Sequence, residues 1–191
     1  SASREVIEQV DWECDVQKLY RNENLGCRIA ISSAMDWFFE NVEEGIILED
    51  DCLPSRSFFW FCQEMLEKFR DDDLVMQING NYYLDGLMEF KASYYFSKVI
   101  CCWGWATWKS AWLNFDARMT DYHKLKKDRF LVDYYNNDEI SKWMGSYLDE
   151  AATESCGIWS TQWAFSVIKQ NGLSVTPTTN LVQNIGFNKD A

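Results

Sequence analysis

The chain has 191 residues, a formal net charge of −12, and a composition that is 47% hydrophobic and 25% charged. This length allows one domain with a hydrophobic core, and the composition excludes wholesale disorder. The acidic balance argues against nucleic-acid binding, which depends on Lys and Arg contacts with phosphates. It would also repel an anionic substrate unless a cation lay between them.

The cysteines and the hydropathy pattern predict a cytoplasmic protein. The seven cysteines show no framework spacing, and their odd number favours reduced thiols. A single histidine, His123, argues against a histidine-based zinc site. The apolar run at 99–108 is too short for a membrane span. The chain begins Ser-Ala-Ser without Met, which suggests a fragment or a processed product.

The first half of the chain predicts alternating helices and strands. In order, the pattern gives a short helix or connector over 5–12, a strand over 15–19, an amphipathic helix from 27 to before 45, a strand over 45–48, a helix after Pro54 and a strand over 74–78. The strand over 45–48 is continuously apolar, which is typical of a strand covered on both faces. Strand–helix–strand order with short links argues for a parallel sheet.

The second half predicts more helix and three further strands. The elements are a strand over 94–100, a short helix over 105–113, a polar and helical excursion over 116–150, a helix over 159–170 that ends at Asn171-Gly172, and strands near 173–176 and 181–185. No linker or internal repeat divides the chain. We therefore expect a single domain over 1–191.

Three consecutive acids follow the strand over 45–48, namely Glu49, Asp50 and Asp51. In open α/β sheets, ligands bind beyond the carboxyl ends of the strands. Crowded carboxylates repel one another unless a cation binds between them, and hard oxygen ligands suit Mg²⁺ or Mn²⁺. The alternative is a solvated acidic turn before the next helix. The apolar strand that precedes the acids favours a metal site.

The segment 45–54, Gly-Ile-Ile-Leu-Glu-Asp-Asp-Cys-Leu-Pro, resembles the D-x-D region of GT-A glycosyltransferases. It is most similar to the branch that contains N-acetylglucosaminyltransferase I and its bacterial relatives. Later segments agree in order: Asn-Gly-Asn at 79–81, Cys-Trp-Gly-Trp-Ala-Thr-Trp at 102–108, Trp-Ser-Thr-Gln-Trp at 159–163, Leu-Ser-Val-Thr-Pro at 173–177 and Asn-Ile-Gly-Phe at 184–187. Together they span about residues 15–188.

This resemblance implies an α/β fold, a Rossmann-like GT-A mixed sheet with flanking helices. Residues 15–85 would form the nucleotide and metal half, and residues 86–191 the acceptor half. The family's first strand and helix have no counterpart in this sequence, so we expect an exposed sheet edge or pocket wall. The missing strand would come from a longer product or from a partner chain, for example in a homo-oligomer.

The activity implied is an inverting, metal-dependent transfer of a sugar from a nucleotide diphosphate sugar to a hydroxyl of a glycan or other acceptor. Asp51 would be the main ligand of Mn²⁺ or Mg²⁺. Asp50 would assist at the metal or, like Glu49, contact the ribose or sugar. A nucleotide-side loop would contain Arg21, Asn24 and Gly26, for which the alternative is a plain polar turn.

The acceptor side would include Asn79, Trp103, Gly104 and Trp105. Gly104 would allow close backbone approach to a ligand, and the alternative for the two tryptophans is core packing.

The general base is a departure from the family. An inverting enzyme needs a group that takes the acceptor proton, and the family's Asp is replaced by Ser160 and Thr161. Glu154 and Glu150 lie upstream as substitutes, and Ser160 alternatively serves only as a helix N-cap. The competing hypothesis is a non-catalytic nucleotide-binding, sugar-binding or scaffold domain. A phosphohydrolase would need a second carboxylate cluster, which the sequence lacks.

Overall fold

The structure is a computed structural model that describes residues 2–84, 86–153 and 157–187. These residues form eight helices, α1 (Ala2–Ile7), α2 (Gly26–Asn41), α3 (Arg56–Phe69), α4 (Lys109–Trp112), α5 (Tyr122–Lys127), α6 (Phe130–Tyr135), α7 (Asp138–Ala151) and α8 (Ser160–Lys169). They also form seven strands, β1 (Glu44–Ile47), β2 (Cys52–Pro54), β3 (Val75–Asn79), β4 (Tyr94–Ser97), β5 (Trp105–Trp108), β6 (Leu173–Pro177) and β7 (Val182–Asn184).

A five-stranded mixed sheet forms the centre of this described region, in the order β1-β5-β3-β6-β4. Strands β3 and β6 are parallel, whereas β5 is antiparallel to both β1 and β3, and β4 is antiparallel to β6. The α/β class with a mixed sheet is confirmed. The predicted parallel sheet is only partly formed, because β5 lies antiparallel between β1 and β3. Strands β2 and β7 form a separate antiparallel pair.

Two secondary-structure predictions are wrong, and in both cases the reason is the presence or absence of neighbouring strands. Residues 105–108 were expected to begin a helix, but they form the buried strand β5 and the helix begins only at Lys109. Neighbours on both sides satisfy the hydrogen bonds of this Trp-Ala-Thr-Trp segment, and its aromatic and β-branched residues fit a pleated sheet. Residues 15–19 form no strand; most are exposed, and no sheet neighbour pairs with them among the described residues.

Strand β1 is an edge strand. Within the described residues it pairs with β5 alone, from Glu44 opposite Trp108 to Ile47 opposite Trp105. All four of its residues are half-buried, and Leu48 just beyond it is 39% exposed. Both faces of β1 are nevertheless partly covered, as predicted, because Ile46 packs against one core cluster and Ile47 against another. The edge position was not predicted, because the pattern of apolar residues does not reveal how many neighbouring strands a strand has.

Alternation along β5 divides the core between the two faces of the sheet. Ala106 and Trp108 belong to a cluster formed with α3, whereas Trp105 belongs to a cluster formed with α2, α4 and α8. A third cluster joins α5, α6 and α7 to α8 around Tyr122 and Phe165. The five-stranded sheet thus contains strands from both predicted halves of the chain, residues 15–85 and residues 86–191.

Two sequence-level expectations concern cysteines and membranes. The six cysteines in the described part of the chain are free thiols, as the prediction of reduced thiols requires. Among the described helices, none combines the length and the apolar character needed to cross a bilayer.

Candidate functional site

The acids follow the carboxyl end of β1 and form the turn that leads into β2. Glu49 and Asp51 are half-buried, and Asp50 is exposed. The backbone N–H of Cys52 donates to the carbonyl of Glu49 at 3.1 Å, which closes the turn. The predicted position at the end of a strand is confirmed. The three side chains nevertheless have different environments.

Asp51 is held by the segment that follows β7. Asn184 Nδ2 donates to Asp51 Oδ2 at 3.1 Å, and the backbone N–H of Ile185 donates to the Asp51 carbonyl at 2.8 Å. A Cβ added to Gly186 would lie 2.4 Å from Asp51 Oδ2, so the absence of a side chain at 186 makes room for this carboxylate. The acidic turn and the segment 184–186, far apart in sequence, thus form one structural unit.

Glu49 is the acid most affected by crowding. Burial raises its pKa above the ordinary value, and repulsion from Asp51 and then Asp50 raises it further. A hydrogen bond from the Trp159 side chain acts in the opposite direction. A cation near these carboxylates would relieve the same repulsion.

The acids do not form a preformed metal cage. No group of three or more His, Cys, Asp or Glu side chains converges as a metal site within the described residues. The Cys52 thiol donates to Asp51 Oδ1 at 3.6 Å, and Asp50 is exposed. This donor set fits an ion that takes one or two protein oxygens and completes its shell with water and phosphate, as Mg²⁺ commonly does.

The loop predicted to approach a nucleotide introduces α2. Asn24 Oδ1 accepts from the backbone N–H of Gly26 at 2.9 Å, Gly26 has a φ of 70°, and Arg21 donates to Ser33 Oγ at 2.9 Å. These are the contacts of a structural turn. Near the start of α2, burial raises the pKa of the Cys27 thiol, and the charge of Glu49 raises it further.

A groove of about 480 Å³ lies between α2 and the open edge of β1. Its walls are mostly apolar, with Ile31 and Phe38 from the helix and Ile47 from the strand. Glu49 and Asp50 lie at one end of it. Glu49 and Asp50 therefore border a mostly apolar cavity.

Asn79 was predicted on the acceptor side, but its amide is used inside the protein. It is buried on β3, where its Oδ1 accepts from Gln77 Nε2 at 2.6 Å and from the Cys101 backbone N–H at 3.2 Å. Its Nδ2 donates to the Val99 carbonyl at 3.0 Å and to Thr176 Oγ1 at 2.8 Å. Asn79 thus positions the segment 99–101 rather than offering a free polar group.

The tryptophans of the segment 102–108 have different places. Trp103 is half-buried and contacts Tyr83 and Phe187 edge-on, with ring centroids 6.1 and 5.1 Å apart. Trp105 is fully buried and packs against Trp159 and Trp163. Its placement is that of a core residue and not of a ligand platform.

Gly104 does allow a close backbone approach, but to the protein itself. It has a φ of 72°, and its carbonyl accepts from the Gly80 N–H at 2.9 Å. A Cβ at position 104 would lie 2.8 Å from Val182 and 3.2 Å from Leu48. A side chain at position 104 would crowd Val182 and Leu48, so this close packing requires a glycine.

Ser160, at the family's base position, lines a cleft of about 470 Å³ together with Thr161 and Trp103. Ser160 is the first residue of α8, whose N-cap position is taken by Trp159, so the expectation that Ser160 is the N-cap is wrong. No carboxylate lines the cleft among the described residues. Glu150 is exposed on α7, and Glu154 lies outside the described residues.

Several residues of the site were not predicted. Trp143 and Tyr147 on α7 line the cleft, and their i, i+4 spacing in a helical segment was a signal that they share one face. Asn184, which holds Asp51, gave no such signal, because its partner is 133 residues away in sequence.

The described residues thus define a mixed α/β protein with an acidic turn after an edge strand, an apolar groove beside that turn and a separate aromatic cleft. Compared with protein-family models and with curated proteins, the chain matches none.

Proposed function

We propose that this chain is the domain of a metal-dependent glycosyltransferase that moves a sugar, with inversion, from a nucleotide diphosphate sugar to an acceptor hydroxyl. One observation carries the proposal. Glu49 and Asp50, just beyond the end of β1, line an apolar groove of suitable size for a ligand, and Asn184 holds the carboxylate of the adjacent Asp51.

In this proposal the groove receives the nucleoside and the acidic turn receives the diphosphate. The chain has a net charge of −12 and the groove ends in carboxylates, so a diphosphate there requires a divalent cation. Asp51, with Asp50, would hold Mn²⁺ or Mg²⁺, which supplies charge stabilisation for the departing diphosphate. Asn184 and Gly186 orient the Asp51 carboxylate, and Glu49 faces the ribose or sugar.

The proposal also includes a fold assignment more specific than mixed α/β, namely a GT-A sheet. The mixed sheet with helices on both faces supports it, as does the free edge of β1 in the described region. A strand from a longer product or from a partner chain would pair with that edge, where unpaired backbone groups are a template for pairing, and would form a further wall of the nucleoside groove.

A second candidate is a non-catalytic domain that binds a nucleotide or a sugar. The hydroxyls of Ser160 and Thr161 at the base position favour it, because neither takes a proton near neutral pH without a partner. The two candidates share the donor site and differ only in turnover. A screen of donors and acceptors separates them: transfer that is lost in Asp51→Ala identifies the enzyme.

The first test is thermal unfolding with Mn²⁺ and a panel of nucleoside diphosphates. At a ligand concentration of about 100 times Kd, the stabilisation is about 2.7 kcal/mol, which raises the Tm of a chain of this size by about 5–10 °C. Asp51→Ala should abolish the shift, whereas Asp71→Ala, which removes an exposed acid from the turn after α3, should preserve it. No shift with any nucleotide and metal together would reject both candidates in their nucleotide-binding form.

A further inference from the structure

The cleft that contains Ser160 has two aromatic walls. One wall consists of Tyr83 and Trp103, which contact each other edge-on. The other is formed on α7 by Trp143 and Tyr147, whose ring centroids are 5.0 Å apart at an interplanar angle of 65°. Trp143 is 55% exposed and Tyr147 is 46% exposed. Large aromatic surfaces are therefore open to a ligand on both sides of a cavity of about 470 Å³.

The polar groups of the cleft are hydroxyls and a thiol. Ser160 and Thr161 lie at the start of α8, and Cys101 lies between the walls, with its Sγ 2.9 Å from the Tyr83 hydroxyl. Burial raises the pKa of the Cys101 thiol, although its hydrogen bond with Tyr83 acts against this. The thiol is thus a neutral hydrogen-bonding group in this setting.

The described residues that line the cleft carry no charge, although the protein is strongly acidic. No acid, base or histidine is found among the described residues that line it. A nucleotide, a phosphate or a charged peptide would find no counter-charge there. A neutral ligand with apolar faces and many hydroxyls fits the aromatic walls, the hydroxyl groups and the lack of charge among the described lining residues. Its C–H faces can pack on the aromatic rings while its hydroxyls bond to those of the protein.

We propose that this cleft binds a neutral oligosaccharide, held between Trp143 and Tyr147 on α7 and Trp103 on the opposite wall. Calling the saccharide the acceptor rests on the proposed function; the binding itself does not. The acidic turn lies close by, because Trp103 contacts Phe187, the neighbour of Gly186, whose Cα faces Asp51. An acceptor hydroxyl presented at Ser160 would therefore be near the proposed donor site.

Hydrogen bonds from side chains of β3 hold the segment that contains Cys101 and Trp103. Gln77 Nε2 donates to the Cys101 carbonyl at 2.7 Å, and Asn79 bonds to both Val99 and Cys101. Trp163 Nε1 in turn donates to Gln77 Oε1 at 2.6 Å. These buried bonds hold one wall of the cleft in place before a ligand binds, which limits the entropy lost on binding.

The test is a titration of cellohexaose, chitohexaose and mannopentaose, each without metal or nucleotide, followed by calorimetry and by saturation-transfer NMR. We expect at least one of them to bind. Trp143→Ala and Tyr147→Ala should each weaken it at least about tenfold. Trp60→Ala, which removes a 72% exposed tryptophan from α3 on the other side of the sheet, should leave the affinity unchanged.

Two results would overturn the inference. One is no binding of any of the three saccharides, or binding that neither α7 variant weakens. The other is Trp143-dependent binding of the apolar probe N-phenyl-1-naphthylamine that no saccharide displaces, which would identify a site for an apolar ligand. Far-ultraviolet circular dichroism of each variant shows that the fold is retained.

Failure of the proposed function would look different. Saccharide binding that depends on Trp143, combined with no response to Mn²⁺ and nucleotides, would support the cleft and reject the glycosyltransferase. Conversely, transfer whose acceptor KM is the same in Trp143→Ala and in the unaltered protein would support the enzyme and reject the cleft as the acceptor site.

Discussion

Gln77 and Asn79 lie two residues apart on the same face of β3, and the Nε2 of the first donates to the Oδ1 of the second at 2.6 Å. Both side chains are buried. Between them they bond to the backbone of the segment 99–101 and to the indole of Trp163. Two amides in the middle of a sheet therefore connect the core to one wall of the cleft.

Asn79→Ala should destabilise the fold by about 2–4 kcal/mol, because it leaves the buried Cys101 N–H and the Val99 carbonyl without this partner. Urea unfolding measures the change. Gln183→Ala, which removes an exposed amide from β7, should change stability by no more than about 0.5 kcal/mol. Equal effects of the two variants would show that the buried network contributes nothing specific.

Trp163→Phe should cost about 1–3 kcal/mol more than Trp105→Phe, although both tryptophans are fully buried. Trp163 Nε1 donates to Gln77 Oε1, so its loss leaves a buried acceptor unsatisfied. Trp105 Nε1 has no hydrogen-bond partner in the described structure, so the same change there removes only volume and a buried unpaired donor. Urea unfolding of both variants gives the difference, and a larger cost for Trp105→Phe would contradict the prediction.

Gly186→Ala should disturb Asp51 without removing any ligand group. The new Cβ would lie 2.4 Å from Asp51 Oδ2, so the carboxylate must move away from Asn184. If Asp51 binds the metal, we expect the affinity for Mn²⁺ with a nucleoside diphosphate to fall about tenfold, equivalent to about 1.4 kcal/mol. Calorimetry measures it. Gly157→Ala, where a Cβ meets nothing within 4 Å, is the control, and an unaltered affinity in Gly186→Ala would remove Asp51 from the site.

Glu49→Gln should stabilise the metal-free protein at neutral pH but not in acid. The folded-state pKa of Glu49 is raised above its ordinary 4.5, so the unfolded chain ionises first as the pH rises. The fold is therefore unaffected by Glu49 well below pH 4.5 and loses stability as the pH rises through the raised pKa. Gln keeps an acceptor for Trp159 and cannot ionise. Urea unfolding from about pH 5 to about pH 8 should show a growing advantage of the variant, and a constant difference would contradict this.

The elements that sequence periodicity predicted best are those with local causes. Helix α3 has a buried stripe at helical spacing that includes Phe58, Cys62 and Met65, and it begins just after Pro54 and Ser55. Strands β3, β6 and β7 are short segments that lie next to turn residues, and each formed within or close to its predicted range. These features depend on neighbours within a few positions, which the sequence displays directly.

The wrong predictions concern features with distant causes. Trp105 to Trp108 has an apolar pattern that suits a helix or a strand, and only pairing with β1 and β3 makes it the strand β5. A contact in the acidic turn also depends on a residue far away in the sequence. The sequence placed Asp51 at the end of a strand, but its contact with Asn184 could not be inferred from either segment alone.

By itself, the sequence determined the acidic turn, most helices and the α/β class. Only the tertiary structure decided that β1 is an edge among the described strands, that Trp105 is core, that Asn79 is committed to internal bonds, and that Trp143 and Trp103 line the same cleft. The physical reason is that hydrophobic periodicity encodes which face of an element is buried, whereas its neighbours are set by packing between residues far apart in the chain.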